Sequence, residues 1–512
     1  MNAPGEADNR DSRSPDHLPA FRRSAAPVRI RSASGSGTTF GSLRTRNFRL
    51  FATGQIFANT GSWVQRIAQD WLVLSLTGSP AAVGVTTALQ FLPTLLFGMI
   101  GGLLADRYPK RKILLLTQVG MATVAGTLAC LTLAGWVAAW HVYVLAFALG
   151  IVTAVDNPTR QSFANEMVGP DQLRNAISIN SSVFQLGGLV GPAISGILIG
   201  AIGPGYLFAL NALSYVAPFI ALSRMRDSEL TVMPKVVGRP GQLRDALRYA
   251  RGRPEVLWPT VLVGVFGMFT ANLPVTLAAY ARSVFHSGPS GYGWLNATVA
   301  VGSLTGALVS ARRARTTLRT LVFVGAVLAS VEMVAAAVPS EIGFRVLLLA
   351  IGAMTLMLLT SANATVQTAA PDEIRGRLMG LYLLVFIGSA ALGGPLLGAT
   401  DEHLGPRVGM LLAGAVPAIA TVFVGAKVAG ITPSGGASAD GVASAAERRN
   451  VGRQPVLVGV SRAADSGRSL APPRLQQRMQ VPHARGWTDR PERLPQVRGR
   501  RAKPRPAHRN AP

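Results

Sequence analysis

Long apolar stretches alternate with short polar turns over most of the 512-residue chain. A membrane-spanning helix needs about 20 mainly apolar residues. The first such stretch is the least apolar because Arg66 and Asp70 interrupt it. The pattern predicts an all-α polytopic membrane protein with 12 transmembrane helices, near 48–75, 81–104, 113–134, 140–160, 175–200, 205–224, 256–281, 292–311, 318–338, 343–365, 378–399 and 407–429.

Lysine and arginine concentrate in alternate connections between these spans. The connections at 107–112, 224–253 and 312–319 are rich in them, whereas those that follow the first, third and fifth spans carry none. Cytoplasmic loops of membrane proteins are enriched in these residues. The pattern therefore predicts that the even-numbered loops and both termini are cytoplasmic, and it supports twelve spans independently of hydropathy.

One polar pattern occurs twice in the chain. N-x-T-x-Q followed by P-D-x-[LI]-R begins at Asn157 and again at Asn363, and each copy precedes an apolar span that contains Gly-Pro. Two similar halves are a transporter layout. We predict six-helix bundles at 42–225 and 256–429, joined by a cytoplasmic linker at 226–255. The linker is expected to form an amphipathic helix with Leu243, Leu247 and Ala250 on one face.

The two ends of the chain lack any periodic apolar pattern. Residues 1–41 and 430–512 are therefore predicted to be disordered. No apolar stretch precedes Phe48, so we expect the first span to act as the insertion signal rather than a cleaved signal peptide. The C-terminal tail holds 16 Lys and Arg against 5 Asp and Glu. Such a tail is expected to lie along anionic lipid, and to bind no specific nucleic acid sequence.

Residues with catalytic or metal-binding chemistry are scarce. Cys130 is the single cysteine, and the histidines within 42–429 stand apart from one another. Neither a Walker A motif nor a nucleophile with a base at fixed spacing is present. We therefore expect no enzyme activity, no metal and no cofactor, and a protein that acts as a monomer on a small-molecule substrate.

The segment GGLLADRYPKRK at 101–112 carries a family resemblance. It resembles the G-x-L-A-D-x-x-G-R-[KR] signature of the major facilitator superfamily, although Leu104 precedes Ala105 and Pro109 replaces a glycine. Within that superfamily, 42–429 resembles the exporter group that includes the enterobactin exporter and macrolide-efflux proteins. The segments that carry this resemblance are GSWVQRIAQDWLVLSLTGS at 61–79, DNPTRQSFANEMV at 156–168 and GLVGPAISG at 188–196.

The resemblance implies a conformational latch at the cytoplasmic end. In the family the matching acid caps a neighbouring helix and holds the inner gate shut, and the matching glycine lets two helices approach. The second half has only basic residues at the equivalent position, GALVSARRARTT, so the latch would be asymmetric. The alternative is that the basic residues only set topology. The implied latch residues are Gly102, Asp106, Arg107, Arg111, Asp156 and Arg160.

A second motif lies in the fifth predicted span. The antiporters of the family carry G-x-x-x-G-P-x-x-G-G there, and this chain has Ser195 in place of one glycine. The resemblance implies a helix bend that favours export; ordinary helix packing is the alternative. The matching residues are Gly187, Gly191, Pro192 and Gly196.

Three charged residues lie inside predicted spans: Arg66, Asp70 and Glu332. A charge at the bilayer centre costs at least ~2.5–3.5 kcal/mol. Arg66 and Asp70, four residues apart, could simply neutralise each other. Alternatively, Asp70 or Glu332 exchanges a proton during transport, because removal from water favours the neutral carboxylic acid.

These features predict a secondary active transporter of the inner membrane. We expect it to export a small amphiphilic molecule by alternating access between its two halves. Proton antiport is implied by the resemblance. The alternatives are an importer or uniporter of the same fold, or a membrane-anchored interaction protein that acts through its basic tail.

Overall fold

The computed structural model describes residues 41–169, 172–230, 242–312, 316–371 and 374–429. The expectations for 1–40 and 430–512 lie outside these residues. The described residues confirm an all-helical architecture. The helices are α1 Arg46–Thr77, α2 Pro80–Arg107, α3 Lys110–Leu133, α4 Ala139–Met167, α5 Leu173–Ser214, α6 Val216–Ser223, α7 Gln242–Arg251, α8 Pro254–Phe269, α9 Leu273–Ala279, α10 Gly288–Ala311, α11 Leu318–Ala337, α12 Glu341–Ala369, α13 Arg375–His403 and α14 Pro406–Ala429.

Ten helical stretches in the described residues are long and apolar enough to cross a membrane. Helix α1 is not one of them, as its polar and charged residues lower its hydropathy. Helices α5 and α6 form one continuous stretch of 49 residues, although two spans were predicted there. A backbone break at Gly203, with φ 78° and ψ 168°, separates the two segments inside α5.

The seventh predicted span is a broken helix. Helix α8 ends at Phe269, a 3₁₀ turn covers Thr270–Asn272, α9 follows, and a π-helical turn covers Tyr280–Val284. Pro274 lacks the N–H that would continue the helical ladder, which explains the break before it. The Asn272 amide compensates by donating to the carbonyls of Met268, 3.0 Å away, and Ala390, 3.1 Å away.

Helices α1–α6, the N-terminal set, pack against helices α8–α14, the C-terminal set, mainly through two pairs, with smaller contacts of α1 and α2 on α9 and of α1 on α10. Helix α2 meets α13, and α5 meets α10. Both contacts depend on glycine. A Cβ on Gly84 would lie 2.1 Å from the Gly394 carbonyl oxygen, and a Cβ on Gly293 would lie 1.9 Å from the Gly196 Cα atom. Such close approach is possible only without side chains.

These glycine contacts all lie near one end of the helices. The end of the helices with the basic turn between α2 and α3 is called the basic end. The glycine contacts lie at the other end, called the opposite end, which contains the turn between α1 and α2 at residues 78–79. Helix α7 precedes α8 at the basic end, and it buries Ala246 and Ala250 while Leu247 is 37% exposed. Of the expected apolar face, Ala250 is buried and Leu247 is exposed, and Ala246 is buried beside Ala250 instead.

Candidate site between the two helix sets

Asp70 is buried where the two helix sets meet. Its carboxylate accepts a hydrogen bond from the Tyr292 hydroxyl of α10 at 3.0 Å, and the second carboxylate oxygen has no partner in the described residues. The Tyr292 ring stacks on Trp71 with centroids 6.0 Å apart. A residue of α1 is therefore bonded to the C-terminal set in this conformation.

Arg66 makes no ion pair with Asp70 within the described residues, although the two interact electrostatically at longer range. Its guanidinium lies over the rings of Trp63, at 5.1 Å, and Phe91, at 5.3 Å. Cation–π contacts of this kind attract an arginine without neutralising it. The expected mutual neutralisation is thus not a direct contact in this conformation.

Two charged side chains of the C-terminal set contact the turn between α1 and α2. The Arg282 guanidinium donates to the Leu74 carbonyl in the last turn of α1. Glu402 accepts from the Ser79 hydroxyl and from the Ala81 backbone N–H, the latter at 3.2 Å. A cation at a helix C-terminus and an anion at a helix N-terminus both complement the helix dipole. These contacts close the opposite end.

The predicted latch residues at the basic end behave differently. Asp106 and Arg107 are exposed, and neither side chain makes a hydrogen bond or ion pair with any described residue. Arg111 instead caps the C-terminal end of α6. It donates to the carbonyls of Leu222 and Ser223 at 2.8 Å each and forms an ion pair with Asp227 at 2.5 Å. In this conformation, therefore, Asp106 caps no helix.

Asp156 and Arg160 lie deeper in the bundle than the predicted latch requires. Helix α4 continues to Met167, so they stand eleven and seven residues before its end. Asp156 accepts from Thr117 at 2.8 Å and Gln118 at 3.2 Å, and it pairs with Arg160 at 3.4 Å. They form a buried network within the N-terminal set and do not contact Asp106.

The acid that pairs with the basic turn is Glu166, at the end of α4. It forms an ion pair with Lys110 at the start of α3. The sequence expectation was also wrong about which glycine allows close approach. A Cβ on Gly101 would lie 2.1 Å from the Ala154 carbonyl oxygen, whereas a Cβ on Gly102 would meet nothing within 4 Å. Gly101 faces α4, and the next residue points about 100° away around the helix.

The α5 motif packs on two partners. A Cβ on Gly187 would lie 3.0 Å from the Asn59 Cβ, and one on Gly191 would lie 2.4 Å from the Trp63 Cβ, so both glycines face α1. Gly196 faces α10 of the other helix set, and Pro192 is buried beside these contacts. Ser195 is also buried, and its hydroxyl donates to the Val64 carbonyl at 3.4 Å.

The C-terminal set contains two buried acids without hydrogen-bond partners in the described residues. Glu332 in α11 is 0% exposed, and Asp401 in α13 is 3% exposed. Both carboxylate oxygens of each are unpartnered. Asp401 was missed because the predicted span ended at residue 399, which placed it in a loop. Tyr292, Arg282 and Glu402 were missed as well, since their roles depend on helices distant in the chain.

Four hydrogen bonds between described residues of the two sets, made by Asp70, Arg282 and Glu402, lie at the opposite end. An arrangement bonded at this end suits a molecule whose halves rock about a central site.

Comparison with known proteins agrees with this architecture. Residues 37–444 match the family model MFS_3, described as a transmembrane secretion effector. The chain belongs to this family of the major facilitator superfamily, whose members are transporters and not enzymes. It is a multi-pass protein of the inner membrane.

Curated relatives include the multidrug efflux pump Tap of Mycolicibacterium fortuitum, which is 27% identical over 72% of this chain and 93% of Tap. The enterobactin exporter EntS of Salmonella typhi is 25% identical over 65% of this chain and 80% of EntS. Among solved structures, a bacterial homologue of the human lysosomal transporter Spinster, in an inward-facing and unoccupied conformation, superposes with a TM-score of 0.62. It is 15% identical and covers 74% of this chain and 96% of that one.

Proposed function

We propose that the chain exports a small amphiphilic molecule across the inner membrane by alternating access, driven by proton antiport. Its membrane topology is part of the proposal. Helix α1 and the segments on either side of Gly203 add two spans to the ten apolar stretches, which makes twelve. An even number puts both termini on one side, and the basic end makes that side the cytoplasm.

The observation that carries the proposal is the group of hydrogen bonds that joins the two helix sets at the opposite end. With the basic end in the cytoplasm, the hydrogen bonds that Asp70 and Glu402 accept and that Arg282 donates seal the periplasmic or outer side. The site between the sets is then open to the inside, where an exporter loads its substrate. The similarity to Tap and EntS supports export over import.

Asp70 is a candidate for coupling to protons because its environment changes during the cycle. Its bond to Tyr292 joins the two helix sets, so opening of the outer side would break it. When that side opens, the carboxylate loses this partner and gains contact with outer solvent, from which it can take a proton. Protonation of Asp70, followed by closure of the outer side, then opens the site to the inside again. Glu332 is a second candidate for proton exchange in the same cycle.

The substrate class follows from the side chains around Arg66. Trp63 also packs edge-on against Phe184 of α5, with centroids 6.0 Å apart, and Phe184 is 48% exposed. Aromatic faces beside one cation suit a flat apolar molecule with a polar or anionic group. Helices α1, α2 and α5, which carry these rings, are the helices that contact the C-terminal set.

Asp106 retains its proposed latch role in the other conformation. It is unpartnered here while the basic end is open, so its capping contact would form only when that end closes. Asp106→Asn is expected to reduce export and to leave membrane abundance unchanged. Glu166→Gln removes an acid of the same end that serves only the Lys110 pair, and it is the matched control. Unchanged export by Asp106→Asn would falsify the latch.

Inside-out membrane vesicles provide the test of the whole proposal. An imposed proton gradient, acidic inside, should drive uptake of ethidium or enterobactin into vesicles that contain the protein, and a protonophore should abolish it. Asp70→Asn should bind the probe but lose coupling to the gradient. Uptake that needs no gradient would indicate a uniporter, and movement only in the reverse direction an importer.

Deletion of the basic tail tests the remaining alternative, a membrane-anchored interaction protein. A chain that ends after Ala429 should export as well as the full chain at matched abundance. If the truncation removes all function while the helical part inserts normally, the interaction-protein hypothesis is correct and the transport proposal is wrong.

A further inference from the structure

Arg66 projects from the face of α1 that meets the C-terminal set. At about 100° per residue, Trp63, Arg66 and Asp70 fall within an arc of about 60° around that helix. Asp70 marks the direction of the arc, because it is bonded to Tyr292 of α10. At a rise of about 1.5 Å per residue, Arg66 lies about 6 Å from Asp70 along the helix, toward the basic end. It therefore faces the region between the two sets, on the basic side of the bonds that join them.

Aromatic side chains of two more helices complete the surroundings of Arg66. Phe91 stands seven residues after Gly84, so it lies on the face of α2 that contacts α13. Phe184 of α5 packs edge-on against Trp63, and its side chain is largely exposed. Helices α1, α2 and α5 thus present three rings beside one guanidinium.

The Arg66 guanidinium has no acceptor of its own. It makes no hydrogen bond or ion pair with a described residue, although it lies 5.1 Å from the centre of the Trp63 ring and 5.3 Å from that of Phe91. None of its nitrogens is closed to solvent by the described residues. An aromatic face attracts the positive charge but offers no oxygen to the five N–H donors. These donors are therefore free to bind a ligand.

Asp70 does not satisfy this charge, although it is one helical turn away. One of its carboxylate oxygens accepts from Tyr292 at 3.0 Å, and its side chain forms no ion pair with Arg66. A half-buried cation without an anion is unfavourable, so the site favours an anion from outside the chain. A guanidinium can bind two oxygens of one such anion through parallel hydrogen bonds, which a single hydroxyl cannot match.

We propose that Arg66 selects anionic substrates: its guanidinium binds a carboxylate, sulfonate or similar oxyanion, and the rings of Trp63, Phe91 and Phe184 hold the flat apolar part beside it. This inference rests on the proposed export function and narrows its substrate class to organic anions with an apolar body. Cations such as ethidium can contact the rings, but they gain no bond to Arg66.

The charge of the substrate determines which part of the proton gradient drives its export. Export of a monovalent anion in exchange for one proton moves a negative charge outward and a positive charge inward, so both movements transfer charge in the same sense. Export of a monovalent cation for one proton transfers no net charge. A membrane potential that is negative inside therefore drives export of the anion and not of the cation.

Two dyes that differ by one sulfonate group measure the selection without any transport. Anilinonaphthalene sulfonate is the anion, phenylnaphthylamine is its neutral counterpart, and both fluoresce in apolar surroundings. Each is titrated against the full chain in nanodiscs, and the signal of empty nanodiscs is subtracted. Arg66→Gln should reduce the affinity for the anion, relative to that for the neutral dye, about tenfold, because charge-assisted hydrogen bonds are lost.

Two further variants show whether the charge of Arg66 is responsible. Arg66→Lys keeps the positive charge and should retain most of the preference for the anion. Arg253→Gln is the matched control, because the Arg253 guanidinium also lies over a ring, 5.6 Å from the centre of Tyr249, but between α7 and α8. Its preference should equal that of the unaltered protein. If Arg66→Gln weakens both dyes equally, or keeps the preference, Arg66 does not select anions and the inference is wrong.

Inside-out vesicles distinguish failure of this inference from failure of the proposed export. Valinomycin and external potassium impose a lumen-positive potential without a pH gradient, and initial rates are corrected for vesicles without the protein. The sulfonate dye should then enter faster than this background, and ethidium should not. If an acidic lumen drives neither probe, proton-coupled export is wrong. If it drives ethidium while neither gradient drives the sulfonate dye, export stands and anion selection is wrong.

Discussion

The two helix sets bury their acids in opposite ways. In the N-terminal set, Asp156 is held by Thr117, Gln118 and Arg160. In the C-terminal set, Glu332 and Asp401 have no hydrogen-bond partner among the described residues. A satisfied carboxylate can remain ionised inside a protein, whereas an unsatisfied one is stable only when protonated. The difference indicates that Asp156 belongs to a polar scaffold in the first set, whereas the second set buries two acids that no described residue satisfies.

Asp156→Asn should give the largest effect on stability. The change removes the negative charge that compensates Arg160, and breaking a buried pair costs up to about 3 kcal/mol for a partly exposed arginine. A several-degree fall in Tm, measured in detergent by fluorescence-detected size exclusion, is expected. Arg160 would keep its bonds to Gln55 at 2.9 Å and Asn157 at 2.6 Å, which limits the loss. An unchanged Tm would contradict the scaffold interpretation.

Gly101→Ala should be the next largest change. The added methyl would collide with the Ala154 carbonyl of α4, and overpacking of this kind costs about 2 kcal/mol. Gly102→Ala is the matched control one residue away. Its methyl meets open space, and replacing a helical glycine by alanine should raise stability by about 0.5–1 kcal/mol. Equal Tm values for the two variants would show that α2 and α4 do not pack as described.

Arg282→Ala should loosen the closed outer end. Losing a charged hydrogen bond of about 1.5 kcal/mol corresponds to a roughly tenfold shift toward the outward-open form. Labelling of Gln69→Cys by an impermeant maleimide, with Cys130 replaced by serine, reports the opening. Arg345→Ala is the control, since this arginine pairs with Glu341 inside α12. No gain in labelling, or the same gain in both variants, would contradict the role of Arg282.

Glu332→Gln and Asp401→Asn should change stability least, by less than about 1 kcal/mol. An amide resembles the neutral carboxylic acid in shape and polarity, so little is lost near neutral pH. Raising the pH should destabilise the unaltered protein more than either variant, because ionisation of a buried unpartnered acid becomes the penalty. The measurement is Tm across a pH series. A large destabilisation at neutral pH would mean that these acids have partners and resemble Asp156 after all.

Much of this protein is determined by its sequence alone. The apolar stretches, the alternating basic loops and the segment at 101–112 indicate a membrane transporter of the major facilitator superfamily, and the family match confirms it. These signals are local, because length and hydropathy decide whether a segment is stable in lipid. Arg66, Asp70 and Glu332 could be singled out for the same reason: a charge in an apolar stretch is visible without a structure.

The residues that contact those charged side chains are determined only by the tertiary structure. Tyr292 is 222 residues from Asp70, and no periodicity relates the two. The choice of Gly101 over Gly102 depends on which side of α2 faces α4. Likewise, Asp401 became a buried acid because α13 extends beyond its apolar core and α14 packs over it. Contacts between helices depend on rotation about each helix axis and on how far each helix extends, and hydropathy constrains both only weakly.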